Sequence, residues 1–204
     1  MTGKRLIIRL SALGDVAMLV PVVKALASQH SDLQITILSQ KHLRPLFENI
    51  SDNVKFIGLD KKGEHKGIAG LNNLYRQLQA ENFDYIADCH DVLRTKYLRL
   101  RFDLANLCPF SSVRSKIAHI DKHRKGKRAL TREQNKELVQ QPTSFENYAE
   151  TIEKLASETL FCKDLLNSKT NVNTSPLRGG TRGAMASLAI GYAPFAANDG
   201  KISP

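Results

Sequence analysis

The chain has 204 residues, 42% hydrophobic and 25% charged, an ordinary balance for a globular protein with a buried core. No apolar run approaches the ~18 residues of a membrane-spanning helix, and the stretch after Lys4 and Arg5 is broken by Arg9 and Gly14, which argues against a secretory signal. Thirty Lys and Arg against 20 Asp and Glu leave a net charge of +10, a surplus that points to an anionic partner: nucleic acid, a phosphosugar or membrane headgroups. Cys89, Cys108 and Cys162 form no CxxC pair, which argues against a disulfide scaffold or zinc site and fits a reducing cytoplasm.

Residues 4–10, KRLIIRL, read as a buried strand. The segment Ser11-Ala12-Leu13-Gly14-Asp15 turns the chain into a helical stretch in which Pro21 predicts either a kink or a break, with a longer helix starting near the proline. Further strands are expected at 33–38, 54–60, 83–89 and 113–120, with helical stretches near 42–50, 68–80 and 92–106 between them. That alternation predicts βαβ units and a doubly wound parallel sheet, an α/β fold. A helix is expected over 144–160, with Ser144 as its cap and Glu146 in its first turn. Residues 1–162 then form one Rossmann-like domain. The Ser-, Thr-, Asn- and Gly-rich stretch 163–187 reads as a linker. Residues 188–204 read as the first strand of a further domain that is otherwise absent.

Four features could carry chemistry. The turn 11–15 lies where open α/β sheets place ligands. There Gly14 permits close backbone approach, and Asp15 is either a general base toward a hydroxyl or the cap of the helix. The tract Arg114–Arg128, with Lys122 and Arg124, joins Arg94, Lys96, Arg99 and Arg101 in a face for phosphate or a membrane surface, or else in a solvated loop. Asp88, His90 and Asp91 follow the fourth strand, where His90 either titrates, binds a metal or forms structural hydrogen bonds. Lys201, after the turn Asn198-Asp199-Gly200, could face a phosphate. No GxGxxG or GKS/T triplet supports a dinucleotide or Walker site.

In this order the pieces resemble family nine glycosyltransferases, the lipopolysaccharide heptosyltransferases. RLSALGDVAMLVP looks like the family's opening strand, SxxGD turn and following proline; FDYIADCHDVLRTK, VRSKIAHID and FENYAETIEKL fit later elements; AIGYAPFAANDGKISP is similar to the start of the second domain, with its Lys-x-x-Pro. The resemblance spans most of 4–161 and 188–204. It implies the N-terminal, acceptor-side half of a GT-B fold, with Asp15 as general base and Ser11 and Gly14 shaping the turn. Heptose would pass from ADP-heptose to a hydroxyl of the lipopolysaccharide core, with inversion and without a metal. Lys201 would lie near the leaving diphosphate, and the basic residues, with His90, Arg94, Lys122 and Arg124, would receive the phosphate- and carboxylate-bearing acceptor. A cytoplasmic enzyme in peripheral contact with the inner membrane is expected, with no nucleic acid partner. The alternatives are a binding module that transfers nothing, and a basic nucleic-acid-binding protein, which would lack interleaved stacking aromatics.

Overall fold

The structure is a computed structural model and describes residues 3–107, 114–122 and 142–154. Five strands form one parallel sheet in the order β3-β2-β1-β4-β5: β1 (Gly3–Ile8), β2 (Leu33–Gln40), β3 (Val54–Leu59), β4 (Tyr85–Asp88) and β5 (Lys116–His119). The flanking helices are α1 (Leu13–Gln29), α2 (Gly67–Ala80), α3 (Leu93–Asn106) and α4 (Ser144–Glu153), with a short 3₁₀ turn at Lys41–Leu46. The domain is therefore α/β and Rossmann-like, as the alternation predicts. The linker at 163–187 and the strand expected at 188–204 lie outside the described residues.

The run Leu6-Ile7-Ile8 is apolar without alternation because the sheet is covered on both sides. Ile7, Ile35 and Ile37 pack under Val16, Leu19, Val23 and Leu26 of α1 and Tyr148 and Ile152 of α4. Leu6, Ile8 and Ile86 point the other way, under Leu71, Leu74 and Leu78 of α2 and Leu98 and Phe102 of α3. Each such side chain fully buried stabilises the fold by roughly 1.5–3 kcal/mol against leaving it in water.

Two local expectations are refined. Of the two alternatives at Pro21, the break with a later start does not occur, since one helix of 17 residues runs through the proline. Its ring removes a hydrogen bond to the carbonyl four residues back, but that residue, Ala17, is exposed, so water can satisfy the oxygen. Ser144 does not cap α4. Thr143 does: its Oγ1 accepts from the Glu146 amide at 3.2 Å, and its own amide donates to Glu146 Oε2 at 2.7 Å, a reciprocal capping box.

The strand order places the site. The chain winds outward from β1 through β2 to β3, then crosses back to pair β4 with β1. At such a reversal the segments leaving two adjacent strands diverge and open a crevice at their carboxyl ends. In register, Ile8 lies beside Asp88, and Asp88 beside His119. The turn after β1 and the turn after β4 therefore stand side by side.

Candidate active site

Arg9 ends the extended run of β1. Its amide donates to Leu38 O at 3.1 Å, and its side chain is almost wholly buried. The guanidinium is held from three directions. Nη1 donates to Cys89 O at 2.7 Å, Nη2 pairs with the Asp15 carboxylate, and the group lies 5.5 Å over the ring of Tyr148. A buried cation is tolerated where its charge and donors are matched; here a carboxylate, a carbonyl and a ring face meet the charge and the two terminal nitrogens, while Nε is buried with no hydrogen-bond partner among the described residues. Sequence reading takes Arg9 only as an interruption of an apolar run. The signal available was a charge immediately after a buried strand and two residues before the turn.

Asp15 sits in the third position of α1, not at its cap. Ala12 is the N-cap and supplies no side-chain acceptor; Asp15 Oδ2 receives the Ala12 amide at a long 3.4 Å. Its dominant partner is Arg9, and its side chain keeps 37% of its exposure, enough for a carboxylate oxygen to meet a ligand. Its position in the first turn also favours negative charge through the helix dipole. Gly14 has open space where a Cβ would stand, with no atom within 4 Å. The fold therefore does not require glycine there, and an approaching ligand would be what a side chain obstructs. Ser11 is half-buried in the same turn, which Gln40 pins by donating its Nε2 to Leu10 O at 2.8 Å.

The turn after β4 is built on Asp88, which is fully buried. Its Oδ1 accepts the amides of His90 and Asp91, both at 2.9 Å, and Arg99 Nε lies 3.3 Å from Oδ2. Asp91 takes a positive φ of 45°, a conformation that Asp tolerates better than most residues. It is tied down by Arg99 Nη2 at 2.9 Å on its carboxylate and by Lys122 Nζ at 2.9 Å on its carbonyl. The neighbouring Cys89 is buried, and burial with the Asp88 charge beside it pushes its thiol up, away from a reactive thiolate.

His90 projects from this turn into the cluster. Burial lowers it to about 4, reinforced by the positive charges of Arg9, Lys122 and Lys61 and opposed by Asp15. Its Nδ1 is buried with no hydrogen-bond partner among the described residues. At neutral pH it is therefore an uncharged ring with an unused nitrogen in a basic pocket. The depressed value sets a sign for stability. Between about 6.5 and about 4 the unfolded chain binds the proton that the folded one refuses, so stability falls as pH drops through that window. Because the ring is only half-buried, we expect a loss of roughly 1–2 kcal/mol rather than the full linkage value. Denaturant unfolding at pH 7 and pH 4.5 should show this loss in the wild type and not in His90→Asn; parallel losses in both would remove His90 as the cause.

Of the residues expected at the site, Ser11, Gly14, Asp15, His90 and Lys122 gather at this edge. Arg94 sits one step away: Nη1 donates to His65 O at 3.4 Å, and its charge, after burial itself, lowers Lys61 below the ordinary lysine value. Lys61, which sequence reading missed, is carried by a loop that Gly70 of α2 clamps, since a Cβ there would stand 2.4 Å from the backbone of His65. Arg124 and Lys201 lie outside the described residues. His119 ends β5 and is exposed. Among the described residues no cluster of three His, Cys, Asp or Glu side chains is arranged to hold a metal ion, and no helix is long and apolar enough to cross a membrane.

No protein-family model and no curated protein matches the chain. Solved structures do. The glycosyl transferase family 9 protein of Veillonella parvula is similar at 23% identity and a TM-score of 0.52, over 79% of this chain and 44% of that one. E. coli heptosyltransferase WaaC, solved with ADP-2-deoxy-2-fluoro heptose, is similar at 16% identity and a TM-score of 0.50, over 74% of this chain and 48% of that one. The likeness is one of fold, and the chain spans less than half the length of either protein.

Proposed function

We propose that this domain is the acceptor-side half of a GT-B glycosyltransferase, and that Asp15 is its general base. The observation that carries the reading is the carboxylate of Asp15. It stands part-exposed at the crevice where β1 and β4 diverge, and a buried arginine fixes its orientation. A positioned carboxylate at such an edge suits the removal of a proton from a hydroxyl. In the reaction the acceptor oxygen attacks the anomeric carbon of a nucleotide sugar. Asp15 takes the hydroxyl proton, the bond to the diphosphate breaks, and the diphosphate leaves with the bonding pair, so the configuration inverts. The neutral His90 ring would line the crevice, and Lys61, Lys122 and Arg94 would neutralise acidic groups on the acceptor.

The donor we assign is ADP-heptose and the acceptor a lipopolysaccharide inner-core sugar, with Arg124 on the acceptor side and Lys201 near the diphosphate. What supports the donor assignment is the heptosyltransferase WaaC, a protein of similar fold that was solved with ADP-2-deoxy-2-fluoro heptose. In this reading no metal takes part, because side-chain cations and helix-terminal amides stabilise the diphosphate as it leaves. The test joins this chain to a donor-binding half and supplies ADP-heptose and a core acceptor lacking heptose. Release of ADP, with a new glycosidic bond of inverted configuration, is the expected result. Binding of the acceptor without any transfer would leave a binding module instead.

A further inference from the structure

Away from the crevice, α2 and α3 diverge to leave a groove of about 530 Å³, walled by Gly67, Ile68 and Leu71 on one side and Leu93, Tyr97 and Leu100 on the other. Its walls are almost wholly apolar, yet they face solvent: Leu93 is 85% and Ile68 68% exposed. The groove does not end at Leu100. Leu93, Leu100, Leu104 and Leu107 are spaced in sevens, fours and threes, which puts them on one face of a 3.6-residue helix, and all four are more than half exposed. The two helices are locked together beneath this face. Tyr97 Oη donates to Asn72 Oδ1 at 2.7 Å, and the Arg101 guanidinium lies 4.6 Å from the Tyr75 ring centroid. The apolar face is therefore pre-formed.

Its rim is basic. Arg94 and Lys96 border the groove, and Lys62 and Lys66 lie exposed in the loop leading into α2. Together α2 and α3 hold five Lys and Arg against the single acid Asp103, and the loop 60–66 before α2 holds Lys61, Lys62 and Lys66 against Asp60 and Glu64. An exposed apolar stripe bordered by cations matches a surface that is apolar at depth and anionic at its boundary. A second copy of the chain fits poorly, because each copy carries +10 and would bring like-charged rims together. The chain beyond residue 154 fits no better: it has five Lys and Arg against three acids.

We propose that the α2–α3 groove and the leucine stripe that continues it seat the protein on an anionic lipid bilayer. The leucines enter the headgroup–acyl boundary, and Lys62, Lys66 and Lys96 meet the lipid phosphates. α3, about 21 Å long at 1.5 Å per residue, then lies in the plane of the interface. Because the N-termini of α2 and α3 point to the same sheet edge as Asp15, the crevice opens beside the lipid surface.

The test is co-sedimentation of the 204-residue chain with vesicles of phosphatidylcholine alone and of phosphatidylcholine mixed with phosphatidylglycerol. We expect binding to the mixed vesicles, weakened by salt. In Leu93→Ser combined with Leu100→Ser binding falls by about tenfold or more. In Lys66→Glu combined with Lys96→Glu it falls by about fivefold for each lysine, and in both variants the circular dichroism spectrum stays that of wild type. Equal binding to the neutral vesicles, or no change in the leucine variant, overturns the proposal. So does a lipid-free dimer that the leucine variant converts to monomer, which would make a second copy the occupant.

Discussion

Asp15→Asn should reduce sugar transfer by about 10²–10⁴-fold, roughly 3–5 kcal/mol of barrier, when the domain is joined to a donor-binding half. The substitution keeps the size and an oxygen that can receive the Ala12 amide, and it removes the proton acceptor together with the charge that faces Arg9. Its stability cost should be small for reasons the structure supplies. Asp15 is not the helix cap, so no cap is lost, and its carboxylate is too exposed for the ion pair to contribute more than about 1 kcal/mol. Arg9 keeps the Cys89 carbonyl and the Tyr148 ring when the carboxylate goes. Initial rates and a denaturation midpoint on the same preparation check both halves. If more than about a tenth of the transfer rate survives, Asp15 serves the turn and not the proton transfer.

Much of the fold was legible because its signals are local. The uninterrupted Leu6-Ile7-Ile8 run announces a strand covered on both faces, and strand–helix alternation announces a parallel sheet. Pro21 left a break open as one alternative because propensity prices a lost backbone hydrogen bond without knowing where the orphaned carbonyl lies, and Ala17 is exposed. The cap of α4 was displaced by one residue, since Ser144 is by type the better cap and only the three-residue reach from Thr143 to Glu146 selects the threonine.

The site was legible only in part, and the missing parts are those set by distant chain. Asp15, Ser11, Gly14 and His90 follow strands directly, so their positions follow from the fold. Arg9 does not: it becomes a held cation only because Tyr148 arrives from α4 and Cys89 from the far side of the strand crossing. The α4 helix, far along the chain, thereby helps orient the carboxylate in the first βα turn. Likewise the lowered basicity of His90 comes from burial and from Arg9, Lys122 and Lys61, none of them its sequence neighbours.

The second large effect is expected at Asp88, whose role is to build rather than to react. It is fully buried, two amides of the turn end on one of its oxygens, and Arg99 faces the other. Asp88→Ala leaves both amides without their acceptor and removes one of the two carboxylates facing a largely buried guanidinium. Breaking such a buried charged cluster from one side costs about 3–5 kcal/mol. Asp88→Asn keeps an acceptor for the amides and loses only the charge, so its cost should be about half as large. Denaturant midpoints at unchanged m-value measure the difference between the two. Amide exchange should localise it: protection at His90 and Asp91 should collapse in Asp88→Ala and largely persist in Asp88→Asn. The reason is geometric. Asp91 holds its positive φ because Asp88, Arg99 and Lys122 fix it from three sides, and without Asp88 the turn can relax and carry the His90 ring out of the crevice. A loss below about 1 kcal/mol in Asp88→Ala would mean that Arg99 and Lys122 hold the turn through Asp91 alone.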